Sequence, residues 1–131
     1  PPKSGSGIPV AQVAVIQEFG SPSNNTPPRS FMRSSLKENN KQIRDLTKSG
    51  CKGVLKGTET RYTLANGVGL KVSGLIRKKI KQITEPPIKQ ATREARTRRY
   101  ANKKKSASDK PLVDTGLMIS SLTYTVSIGN K

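Results

Sequence analysis

The sequence predicts a domain of the α+β class, and three observations carry that expectation. Leu64, Val68, Val72, Leu75, Ile76, Ile80 and Ile83 fall on one face of an α-helix running through "LANGVGLKVSGLIRKKIKQI". Ahead of it, Met32, Leu36, Ile43 and Leu46 recur at roughly helical intervals and give a first long helix. Near the end, "LTYTVSI" alternates strictly, with Leu122, Tyr124, Val126 and Ile128 on one side and Thr123, Thr125 and Ser127 on the other, the pattern of a half-buried strand.

Each element has its own local signals. Residues 1–9, "PPKSGSGIP", are turn-forming and read as a flexible tail or strand remnant. In "VAQVAVIQEFG", apolar residues three and four apart predict a short helix stopped by Gly20, although the β-branched side chains also suit a buried strand. Residues 20–30 form a loop, because Pro22, Pro27 and Pro28 remove donors and fix φ. Ser35 with Glu38 predicts a capping box at the start of the first long helix, which ends between Lys48 and Leu55 as Gly50, Gly53 and Gly57 weaken it. The second helix runs through Asn66-Gly67, a hairpin signal in isolation that would here break the stripe, and ends at Glu85 before Pro86 and Pro87. Its Lys71, Arg77, Lys78, Lys79 and Lys81 face away from the core. Residues 88–111 carry many cations and little to bury, so they read as a mobile basic loop, part of it covered by a short helix resting on Ala91, Ala95 and Tyr100. The strand at 122–128 leaves backbone groups that need partners from upstream strands, the N-terminal segment or another subunit.

At 131 residues the chain has room for one domain, 1–131. Its net charge of +17, from 25 Lys and Arg against 8 Asp and Glu, is a strong like-charge field. Leu, Ile, Val and Phe total 28 residues, so the core is small, and a polyanion or subunit neighbours would offset the repulsion and add buried surface. Cys51 is the sole cysteine and there is no histidine, which excludes an internal disulfide framework and removes the commonest metal ligands and general base. No cofactor, metal or catalytic residue is expected. No apolar run approaches bilayer length and nothing at the N-terminus reads as a signal peptide, so a soluble protein without membrane contact is expected.

"LVDTG", residues 112–116, contains the active-site triplet of aspartic proteases, but only fifteen residues follow Gly116, too few for a flap and cleft. The better account is a structural turn in which Asp114 bonds local amides and Gly116 takes an unusual backbone conformation. "GVGLKVSG" lacks the ending of a phosphate loop and lies inside the helical stripe. Arg93, Arg96, Arg98, Arg99, Lys103, Lys104 and Lys105, with Tyr100 among them, are either a footprint for a polyanion or acidic partner or a solvated charge run. No base-reading module accompanies them.

The order "VAQVAVIQEFGS", a Pro-rich loop, "PPRSFMRSSL", two helices, "EPPI" and then "KPLVDTGLMISSLTYTV" resembles the neck, head–tail connector and tail-completion proteins of tailed bacteriophages over residues 8–128. Members of that group typically carry "EFG", then "P-x-R-x-F", and close with "K-P-L-x-D-T-G" before a final strand. Here Ser30 stands where Pro is usual, Met118 where a polar or basic residue is common, and the basic loop is longer. The resemblance implies an antiparallel sheet packed against two main helices, with long irregular loops, in a non-enzymatic virion protein assembled in the bacterial host cytoplasm. It implies a homo-oligomeric ring at the head–tail junction, meeting portal-side connector and tail-side proteins, with non-specific contact to DNA in the lumen. Residues 20–30 become a shaped interface loop anchored by Phe19, Phe31 and Met32, with Arg29 and Arg33 free for a neighbouring subunit. Phe31 and Met32 also suit a simple plug beneath the first long helix. A basic nucleic-acid-binding protein of ribosomal or packaging type is the alternative, and an aspartic protease fragment the third reading.

Overall fold

The longest apolar stripe becomes the longest helix, Arg61–Gln82, against which the two preceding helices pack. The computed structural model describes residues 7–103, 107–113 and 116–129. In chain order the helices are α1 (Val10–Phe19), α2 (Met32–Glu38), α3 (Asn40–Leu55), α4 (Arg61–Gln82), α5 (Gln90–Tyr100) and α6 (Leu117–Ser121), with a short 3-10 turn at Pro22–Asn24. α2 and α3 pack on α4, α2 meets α3 across Asn39, and α1 packs on α6.

The stripe forms a helix as its periodicity requires, and Thr60 caps it by accepting from the Thr63 amide at 3.1 Å. α4 ends at Gln82, three residues before the expected Glu85, because Ile83 is already extended ahead of the prolines. α3 ends in a Schellman turn: Gly57, at φ +74°, donates to Val54 at 3.1 Å, and Thr58 donates to Gly53 at 2.9 Å. The core is small, as composition requires: Phe31, Ile76, Ile80 and Leu112 are buried together, with Ala14, Val72, Met118, Ile119 and Leu122 packed around them.

The expected sheet is a correction. The described residues are 63% helix and 3% strand and contain no sheet. Ser21 and Thr26 form an isolated antiparallel bridge inside the Pro-rich loop. Residues 122–129 show why alternation misled: Leu122, Tyr124 and Val126 are half-buried and Thr123, Thr125 and Ser127 exposed, but the segment makes no ladder. It lies along α4 through side chains. The Tyr124 hydroxyl bonds Asn66 Oδ1 at 2.9 Å, Arg77 donates to the Leu122 carbonyl, and the Tyr124 ring sits against Gly69. Alternation demands one covered face, and a helix covers it as well as a second sheet does.

Three further expectations change. Ser35 is not a cap; it is fully buried inside α2, while Glu38 pairs with Lys79 across to α4. Of the α4 cations, Lys71, Lys78 and Lys81 do face solvent, whereas Arg77 and Lys79 are engaged with Leu122 and Glu38. The short helix expected within 88–111 is α5, but its anchor is the buried Arg96; Ala91 is exposed, Ala95 and Tyr100 half-buried.

The docking of Tyr124 on α4 makes a testable distinction between glycines. A Cβ at position 69 would overlap the Tyr124 ring, whereas one at position 74 meets open space. Gly69→Ala is expected to lose about 1–2 kcal/mol net, overpacking outweighing the gain in helix propensity, and Gly74→Ala to gain up to about 1 kcal/mol. Urea denaturation of the two variants checks both signs.

Candidate functional site

Glu18, next to last in α1, is the only acidic residue before Glu38, and the residue is 5% exposed. Its Oε2 accepts from the Phe31 amide at 2.8 Å and the Met32 amide at 2.9 Å. Oε1 accepts from the Ser30 hydroxyl at 2.8 Å, the Arg33 amide at 3.2 Å and the Arg33 Nε at 2.9 Å. α2 has no cap from its own preceding residue, Phe31, so a carboxylate from another helix satisfies its first amides. Burial alone would push the Glu18 carboxyl up. The Met32 amide, the Arg33 guanidinium, the Ser30 hydroxyl and the Arg33 amide outweigh burial and hold it down at about 2.

The intervening loop is held at a second point. The Arg29 amide donates to the Gln17 carbonyl at 2.6 Å. Its guanidinium donates to Pro86 at 2.7 Å, Pro87 at 2.9 Å and Gln17 Oε1 at 3.2 Å. Burial, then the nearby charge of Arg96, lowers its pKa from the usual range. Gly20 lets the chain leave α1 at φ +79°, where a side chain would crowd the Thr26 carbonyl and Pro28 at 3.0 Å.

This geometry sorts the anticipated interface residues. Phe31 is 1% exposed and plugs the core, and Arg29 is turned inward rather than free. Phe19 and Met32 stand at the surface, and Arg33 lies 4.4 Å over the Phe19 ring while bonded to Glu18. Beside them opens an apolar groove of about 450 Å³, floored by Val10, Ala14, Phe31, Ile80, Met118 and Leu122.

The basic set divides as well. Arg96 is buried, donating to the carbonyls of Ser108 at 2.8 Å, Lys110 at 2.9 Å, Pro111 at 3.1 Å and Val113 at 3.4 Å. Arg93, Arg98, Arg99 and Lys103 are exposed, with Arg93 3.5 Å from Asp109 and Lys103 5.7 Å from the Tyr100 ring centre. Lys104, Lys105 and Asp114 lie outside the described residues. Gly116 takes φ +77° immediately before α6. Among the described residues no group of His, Cys, Asp or Glu side chains is placed to hold a metal ion.

Sequence reasoning missed Glu18 and the inward roles of Arg29 and Arg96. The available signal was a lone carboxylate in a stretch otherwise free of charge, just before a glycine and a proline-rich stretch. Fold and site define a helical domain with a surface loop clamped by a carboxylate and an arginine. No protein-family model, curated protein or solved structure matches the chain.

The low Glu18 pKa fixes the sign of a pH effect. A carboxyl lowered from 4.5 to about 2 contributes stability that is fully present above pH 4.5 and lost as pH falls towards 2. Glu18→Gln is expected to lose about 3 kcal/mol at pH 7 and to decline less than wild type between those pH values. Denaturant titrations across that window check it; matching acid profiles would contradict it.

Proposed function

We propose that this chain is a structural, non-enzymatic protein of a tailed-bacteriophage virion, forming a homo-oligomeric ring in the neck between portal-side connector and tail-side proteins. One observation carries the reading: the segments on which the sequence resemblance rests converge. Glu18 of "EFG" holds Ser30 to Arg33 of "PPRSFMR". Arg29 of the same segment holds Pro86 and Pro87 of "EPPI". Arg96 holds the carbonyls of Lys110, Pro111 and Val113 in "KPLV". The expected sheet is no part of the proposal.

The surface around this cluster supports the same reading. A loop pinned at two points is pre-organised, so a partner that meets it loses little freedom on binding. Phe19 and Met32 are 60% and 39% exposed at the edge of the apolar groove, beside a core too small to use them. Apolar surface rimmed by an arginine is the composition of a contact between subunits.

Sedimentation velocity and negative-stain electron microscopy of the purified protein, free of nucleic acid and over a range of concentrations, test the proposal. Closed rings are expected, reverting to monomers when Phe19 and Met32 are both replaced by Ser. A wild-type chain that stays monomeric throughout would contradict it.

A further inference from the structure

We propose that α5 is a binding element for duplex DNA, seated in a groove between two walls of phosphates and indifferent to base sequence. The inference does not depend on ring formation, since every residue it uses belongs to one copy of the chain. Residues 88–111 carry nine Lys and Arg against two Asp and Glu, a net +7. How α5 is mounted decides where those charges point. Arg96 is its buried residue, and the bonds from Arg96 to the carbonyls of residues 108, 110, 111 and 113 fix which side faces the protein.

At about 3.6 residues per turn, Arg93 and Arg99 lie roughly 60° to either side of Arg96, and Arg98 roughly 160° away on the outer crest. Cations therefore occupy the crest and both flanks of an exposed ridge. Lys89, at the N-cap, and Lys103, just past the last turn, extend the charge at either end. Two carboxylates offset part of it: Glu94, one turn before Arg98 on the crest, accepts from Gln90 at 3.0 Å, and Asp109 lies 3.5 Å from Arg93 on one flank; the net +7 of residues 88–111 already includes both. A flat anionic surface reaches a crest and at most one flank, whereas a groove reaches the crest and both flanks.

The major groove of B-form DNA is about 12 Å wide and admits an α-helix, while the corresponding groove of A-form RNA is too narrow. Phosphate contacts of this kind hold a protein on DNA without reading sequence, and they act by releasing counterions. Among the described residues α5 is exposed except at Ala95, Arg96 and Tyr100, so most of the ridge faces solvent.

Fluorescence anisotropy with a mixed-sequence 20-base-pair DNA duplex, across a salt series, tests the assignment. Arg93, Arg98 and Arg99 are replaced together by Gln, and a control of equal charge loss replaces Lys41, Arg44 and Lys48 on the exposed side of α3. The α5 variant is expected to bind at least about tenfold more weakly and to lower the slope of log K against log salt by about 2.5, with the α3 control close to wild type. Should the triple variant lose helicity by circular dichroism, Lys89→Gln with Lys103→Gln, both outside the helix, decides the matter through a slope lowered by about 2. Equal losses in the α5 and α3 variants would show a response to net charge alone and overturn the assignment. Binding of polyglutamate as tight as that of DNA would overturn it in favour of an acidic protein partner.

Discussion

The arrangement depends on one buried carboxylate. Glu18 accepts five hydrogen bonds, three from backbone amides at the start of α2 and two from side chains, in a chain with net charge +17. An ionised carboxylate beside helix amides and a guanidinium is favoured on every count except desolvation, and its depressed pKa records which side wins. Its position also matters. By joining the end of α1 to the start of α2, it sets where Phe31 enters the core against Ile76 and Ile80. The small core and the shape of the surface loop thus rest on the same contact.

Arginines complete what the carboxylate begins. Segments broken by proline cannot form ladders, because each proline lacks an amide donor, yet their carbonyls still require partners when covered. Pro86, Pro87 and Pro111 receive theirs from the guanidiniums of Arg29 and Arg96. Guanidinium presents several donors in a fixed plane, so one side chain gathers two to four carbonyls from a turn without regular structure. A chain with abundant arginine and many prolines therefore joins its irregular segments by side chain to backbone bonds. Those bonds, together with helix packing, take the place of the sheet that alternation in the last segment suggested.

What could be read in the sequence followed from what repeats. The α4 stripe, the helix at α1 with its Gly20 stop, and the Pro-rich loop were legible because period and backbone restriction are local properties. Ser35 and Glu38 fit a capping motif by spacing, but a carboxylate thirteen residues upstream of the Phe31 amide holds the helix start instead, and no local pattern encodes that distance. Residues 122–129 showed which side chains turn inward without showing what they turn towards. Arg29 and Arg96 read as surface charge because arginine usually is; their burial follows from proline carbonyls, including two 57 and 58 residues away, that only the folded chain brings near.

The functional reading and the fold meet in the rigid loop that Glu18 and Arg29 shape, and amide hydrogen exchange at Phe31, Met32 and Arg33 tests that rigidity most directly. If the carboxylate holds these amides, they exchange only through global unfolding, at the rate of the α4 core amides, and shift to fast local exchange in Glu18→Gln. Exchange of these three amides in the wild-type protein at the rate of exposed loop amides would contradict the account.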